Sequence, residues 1–118
     1  MSILQNETAV PSLPVASANL RWDGHMSDGV GATYGSKPLA CLSAESDHLL
    51  LSGNRGTFRI PRAAVVKLGR GRMYPWCFSG IRIQHNVSNF PEELQFKPME
   101  GRSREILDQL RALGYPAA

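Results

Sequence analysis

Gly80-Ile81-Arg82-Ile83-Gln84-His85, then Asn86-Val87-Ser88-Asn89-Phe90-Pro91, then Glu93-Leu94-Gln95-Phe96-Lys97, then Ser103 to Leu113: this stretch decides the class of fold. Ile81 and Ile83 fall on one side of an extended chain and Arg82 and Gln84 on the other. Leu94 and Phe96 oppose Gln95 and Lys97 in the same way. The polar run Asn86 to Pro91 turns the chain between these two strands. After them, Ile106, Leu107, Leu110 and Leu113 recur at the spacing of one helix face, with Arg104, Glu105, Asp108 and Arg111 on the other. A helix is predicted over 103–113, with Ser103 as its cap, Gly114 left-handed just past its end and Pro116 as its stop. An amphipathic helix that follows half-apolar strands implies a sheet whose inner face the helix covers.

Working back from this stretch, the chain reads as more short strands for the same sheet. Leu39 to Ser43 is one, turned by Ala44-Glu45-Ser46-Asp47, and His48 to Ser52 is the next. Gly53-Asn54-Arg55-Gly56 is a hairpin turn, since Gly and Asn tolerate positive φ. Thr57 to Ile60 follows with Phe58 and Ile60 inward and Arg59 outward, and Pro61 ends it or marks an edge. Val65 to Leu68 reads with Val66 and Leu68 inward and Lys67 outward, and Gly69 to Ser79 is a long loop. Asn19 to Trp22 reads as a short strand. Asp23 to Ser36, with Gly24, Gly29, Gly31 and Gly35, reads as a mobile Gly-rich loop, and residues 1–18 as a Pro-broken tail. The expected class is therefore mainly β (α+β), a small antiparallel sheet or partly closed barrel over 19–118, capped by one C-terminal α-helix.

Length and composition frame this. A chain of 118 residues with 42% apolar and 19% charged residues is one globular domain with its own core. No apolar run approaches the ~18 residues of a membrane span, and the first 20 residues lack the basic start and apolar stretch of a secretory signal. The expected location is cytoplasmic, peripheral at the membrane if the ligand is lipid. Cys41 and Cys77 lack a CxxC spacing and read as thiols in a reducing compartment.

The order of pieces from Leu39 to Tyr115 resembles the small bacterial pleckstrin-homology-like (PH-like) domains. The residues that carry the resemblance are Leu49-Leu50-Leu51-Ser52-Gly53, Phe58 to Leu68, Gly80 to His85, Leu94-Gln95-Phe96 and the helix ending Leu113-Gly114-Tyr115. It covers about two thirds of the chain. It implies a bent barrel closed at one end by the C-terminal helix, and a binding or scaffolding role. Members that hold phosphoinositides use basic residues on the loop between the first two strands. Here that loop would be Ala44-Glu45-Ser46-Asp47, with two acids and no base.

Charge supplies the candidate site. From His48 to Pro91 there are seven basic residues and no acidic one, while the rest of the chain carries six basic against ten acidic residues, a balance of −4. By strand parity Arg59, Lys67 and Arg82 leave the outer face. Arg70 and Arg72 share the long loop with Tyr74 and Trp76. Cations interleaved with aromatic rings suit an acidic protein or an anionic lipid surface, or, as the alternative, single-stranded nucleic acid. Outward charges are also what any half-buried sheet carries. An uncapped edge strand, or the tail before Leu20, could pair with another copy.

Catalytic and cofactor patterns are missing from the sequence. Gly29-Val30-Gly31 has no third glycine in place, and Ser36-Lys37 reverses the phosphate-loop order. No Gly-x-Ser-x-Gly elbow occurs. Glu92 and Glu93, read as adjacent strand residues, face opposite ways. His85 reads as an inward, hydrogen-bonded histidine, and His25 and His48 lack partners at a metal-ligand spacing. The expected function is a non-catalytic binding module without cofactor or metal.

Overall fold

The computed structural model describes residues 20–71 and 79–117. Seven strands and one helix follow in the order β1 (Leu20–Ser27), β2 (Ala40–Ala44), β3 (His48–Gly53), β4 (Gly56–Pro61), β5 (Val65–Arg70), β6 (Ile81–His85), β7 (Leu94–Pro98) and α1 (Ser103–Ala112). They form one antiparallel sheet of order β4-β3-β2-β1-β7-β6-β5, curled into a half-barrel. Leu42, Leu49, Leu51, Ile60, Ile81, Ile83 and Phe96 fill its concave side, and α1 lays Ile106, Leu107 and Leu110 onto them. No helix among the described residues is long and apolar enough to cross a membrane.

The strand that joins the halves is β1. Its first half, Leu20 to Gly24, pairs with β2, and its second half, Gly24 to Ser27, pairs with β7. The short strand expected over 19–22 therefore continues, and Asp23 to Ser27 belong to the sheet instead of the Gly-rich loop. Period-two reading fails there because Gly24, His25, Met26 and Ser27 are all buried, as befits a central strand covered on both sides.

What remains of the Gly-rich loop is held firmly. The Asp28 carboxylate accepts the N–H groups of Val30 (3.0 Å) and Gly31 (2.9 Å), and the Arg55 guanidinium grips both its oxygens at 3.0–3.3 Å. Met26 N–H donates to the Thr33 hydroxyl (3.1 Å) and Thr33 N–H to the Met26 carbonyl (3.0 Å), folding the loop back on β1.

The β3–β4 hairpin turns through Asn54-Arg55 between the paired Gly53 and Gly56, as the sequence predicts, and β4 with its terminal Pro61 is an edge strand. In β5 the alternation breaks. The register shifts between Val65 and Lys67, so Val65 (7% exposed) and Leu68 (0%) both face inward while Val66 (56%) points out. An inserted bulge residue flips the parity of what precedes it, which corrects the expected inward Val66.

Helix α1 starts one residue earlier in role than predicted. Arg102 is the N-cap, its N–H accepted by the Glu105 carboxylate (3.4 Å). Ser103 is the first helical residue, and its hydroxyl donates to the Ser79 carbonyl (2.5 Å), tying the helix start to the approach of β6. The far end matches expectation: Gly114 takes φ +102°, with Tyr115 N–H bonded to Leu110 carbonyl and Gly114 N–H to Arg111 carbonyl, the paired C-terminal bonds of a Schellman motif. The chain beyond covers the outer edge of β5, where Leu68 N–H donates to Pro116 carbonyl (2.8 Å). The Tyr115 hydroxyl reaches the Glu45 carbonyl (2.5 Å), so the helix end bridges the β2–β3 turn and β5.

Candidate functional site

The expected ligand-binding residues fall into three groups. Arg72, Tyr74 and Trp76 lie outside the described residues, as do the tail over 1–18, Cys77 and most of the loop over 69–79. Arg59 on β4 and Lys67 on β5 are exposed on the outer face, as strand parity implies, but neither lines the cleft that holds Arg70. Arg82 is not a free outward cation. It is half-buried and forks onto Glu93, with N–O distances of 2.8 and 3.1 Å, so its charge is matched within the protein. That pairing also separates Glu93 in role from the exposed Glu92, and both precede β7 instead of lying in it.

Arg70 does enter a site, with partners that the central positive block does not contain. At the end of β5 it lines a cleft of about 370 Å³ together with Lys97 from the end of β7, Arg102 and Arg104 from the start of α1, and the serines Ser79 and Ser103. Among the described residues four cationic side chains border it and no acidic one does. The first turn of α1 opens on the same space, and among the described residues no acceptor meets the N–H groups of Ser103 and Arg104. Backbone donors and the positive end of the helix dipole thus reinforce the side-chain charges. The sequence hides this cluster because Lys97, Arg102 and Arg104 belong to the acid-rich remainder of the chain. A usable signal exists: Lys97 has outward parity, and two arginines flank the serine at the helix start.

A second cleft, of about 460 Å³, lies across the β7–α1 connection from the first. The connection lines both: Pro98 and Gly101 border the cationic cleft, Met99 and Glu100 between them border its neighbour. Trp22, Pro38 and Met99 provide apolar wall, with Asp23 and Glu100 as carboxylates and Arg21 as a cation. Arg21 is loosely paired with Asp23 at 3.5 Å.

The histidines are occupied by structure. His25 is buried, its Nδ1 2.8 Å from the Thr33 hydroxyl and its Nε2 3.1 Å from the Gly35 carbonyl. The Gly35 carbonyl can only accept, so Nε2 carries the proton toward it, and in the neutral ring Nδ1 accepts from the Thr33 hydroxyl. His85, half-buried as its parity suggests, accepts Val87 N–H at Nδ1 (3.0 Å) and donates from Nε2 to the Pro91 carbonyl (2.7 Å). His48 has carboxylate neighbours that strict ligand spacing misses: Asp47 Oδ1 lies 2.8 Å from Nδ1 and Glu45 Oε2 lies 3.7 Å from Nε2. Glu45, Asp47 and His48 thus bring one possible ligand atom each within 4.8 Å of one another, a grouping compact enough for a metal ion, and Asp47 is exposed. Cys41 is a free thiol whose pKa burial pushes up, with Arg21 opposing and Asp23 adding.

The N–H groups of Gly29, Val30 and Gly31 in the Gly-rich loop are also spent, that of Gly29 on the Ser27 hydroxyl (3.2 Å). Val30 and Gly31 N–H groups turn onto Asp28, which leaves them unavailable to a phosphate. Compared with protein-family models, with characterised proteins and with solved structures, the chain has no significant match in any of the three.

Proposed function

We propose that this protein is a non-catalytic, PH-like binding module that holds an acidic partner in the cleft at the start of α1. The bent antiparallel sheet with its C-terminal helix is the shape the resemblance to PH-like domains implies. The observation that carries the functional reading is the convergence of Arg70, Lys97, Arg102 and Arg104 on one cleft that no acidic side chain lines among the described residues. Cations around a concavity, reinforced by two open backbone donors, favour an oxyanion over water. The basic-surface reading thereby moves from the outer sheet face to the meeting point of β5, β7 and α1.

The test is an NMR titration of the full chain, labelled with ¹⁵N, by inorganic phosphate and by poly-glutamate. Saturable shifts at the Ser103 and Arg104 amides are expected. They should weaken with added salt and disappear in Arg102→Ser/Arg104→Gln, which keeps a favoured N-cap residue while removing two charges. Absence of any shift at these amides would overturn the reading.

A further inference from the structure

Resting on that reading, we infer that the cleft receives an extended peptide segment in which an acidic side chain lies two to four residues from a lysine or arginine. The β7–α1 connection is a ridge between two clefts of opposite demand. On one side four cations and the helix start call for an anion. On the other, among the described residues, the carboxylates of Asp23 and Glu100 outnumber the single cation Arg21 and leave room for a further cation, and Trp22, Pro38 and Met99 offer apolar wall for the stem of a long basic side chain. Asp23 is loosely matched by Arg21, and Glu100 makes no ion pair among the described residues. Because the four consecutive residues 98–101 line both clefts, a ligand crossing the ridge needs only a short reach, about 7–14 Å of extended chain for two to four residues.

The same charges argue against the other acidic ligands. A nucleic-acid strand places a phosphate on every nucleotide, and its second phosphate would meet Asp23 and Glu100 on leaving the cationic cleft. Stacking needs open rings, yet Trp22, the aromatic residue lining the second cleft, is half-buried against the core. A membrane presents a flat array of anions, whereas these sites are concave and of alternating sign. A protein segment supplies both charges at fixed spacing.

The probes are two acetylated, amidated peptides, Gly-Gly-Asp-Gly-Gly-Lys-Gly-Gly and its Lys→Gln counterpart, titrated into the full ¹⁵N-labelled chain. The Asp–Lys peptide is expected to shift Ser103 and Arg104 on one side and Met99, Glu100 and the Trp22 indole on the other. It should bind about fivefold more tightly than the Asp–Gln peptide, the scale of a partly screened charge pair. Glu100→Gln should abolish that advantage, so that the two peptides bind the variant equally. Equal binding of the two peptides by the unaltered chain, with the Ser103 and Arg104 shifts intact, overturns this inference and leaves the anion site standing. Tighter binding of oligothymidylate or phosphatidylserine vesicles than of the Asp–Lys peptide also overturns it. No shift at Ser103 or Arg104 with the peptides or with inorganic phosphate overturns both readings.

Discussion

Gly24 lies flat against the main chain of Lys97, so close that a Cβ on residue 24 would overlap the Lys97 carbonyl oxygen. This is the point at which β1 leaves β2 and takes up β7, Gly24 pairing with Ala40 on one side and Pro98 on the other. The contact lets one strand serve both halves of the curled sheet, and it fixes the backbone of Lys97 in the cationic cleft. Gly24→Ala must displace main chain, not a flexible side chain, and should cost about 3 kcal/mol in urea unfolding. Gly69→Ala is the control, because a Cβ there meets nothing within 4 Å. It should leave stability within about 1 kcal/mol, on the favourable side. Equal costs at the two positions would show that the Gly24 approach does not matter.

The Asp28–Arg55 fork predicts an acid-dependent loop. Burial raises the Asp28 pKa, but the N–H groups of Gly31 and Val30, with Arg55, outweigh it and hold the carboxyl below its ordinary 3.8. A folded pKa below the unfolded one gives stability that is complete above about pH 4 and is lost as pH falls toward the folded value. Asp28→Asn should therefore cost about 1–2 kcal/mol at pH 7, and the gap to the unaltered protein should narrow as pH falls below about 4. A gap that stays constant as the pH is lowered would remove the charged fork as its cause.

The bulge in β5 makes a prediction opposite to simple alternation. Val66→Thr should change stability by less than about 0.5 kcal/mol, since the side chain stands in solvent. Val65→Ala should cost about 1–2 kcal/mol and Leu68→Ala about 2–5 kcal/mol. If Val66→Thr proved the costlier of the two valine changes, the register shift would be misplaced.

These positions mark the limits of what the sequence reveals. Strands that bury one face, such as β4 with Phe58 and Ile60 or β6 with Ile81 and Ile83, announce themselves by alternation, and α1 by its apolar stripe. The second half of β1 is silent because burial on both sides removes the alternation, and its glycine reads as a breaker although it is a close-contact point. The bulge is silent because an inserted residue leaves the same composition with reversed parity. Of the candidate site, Arg70 was legible and Arg82 misleading. A charge count along the chain has no access to the Glu93 that neutralises Arg82, nor to the folding that brings Lys97, Arg102 and Arg104 from the acid-rich end to Arg70.

Tyr115 closes the structure and should also set its alkaline limit. The ring is 2% exposed and its hydroxyl donates to the Glu45 carbonyl, which ties the end of α1 to the β2–β3 turn. Burial pushes its pKa up to about 12, with Arg62 opposing and Asp47 and Glu45 adding. The folded pKa lies above the unfolded value of 10.0, so the folded state holds the proton longer. Its contribution is complete below about pH 10 and falls as pH rises from there to about 12, by about 2–3 kcal/mol in all. Tyr115→Phe lacks this titration but leaves the Glu45 carbonyl without its donor, at a cost of about 1 kcal/mol near neutrality. The unaltered protein should thus be the more stable at pH 7 and the less stable above about pH 11. Urea midpoints of the two proteins, measured from pH 7 to pH 12, should cross; parallel curves would mean that the phenol is not held protonated by the fold.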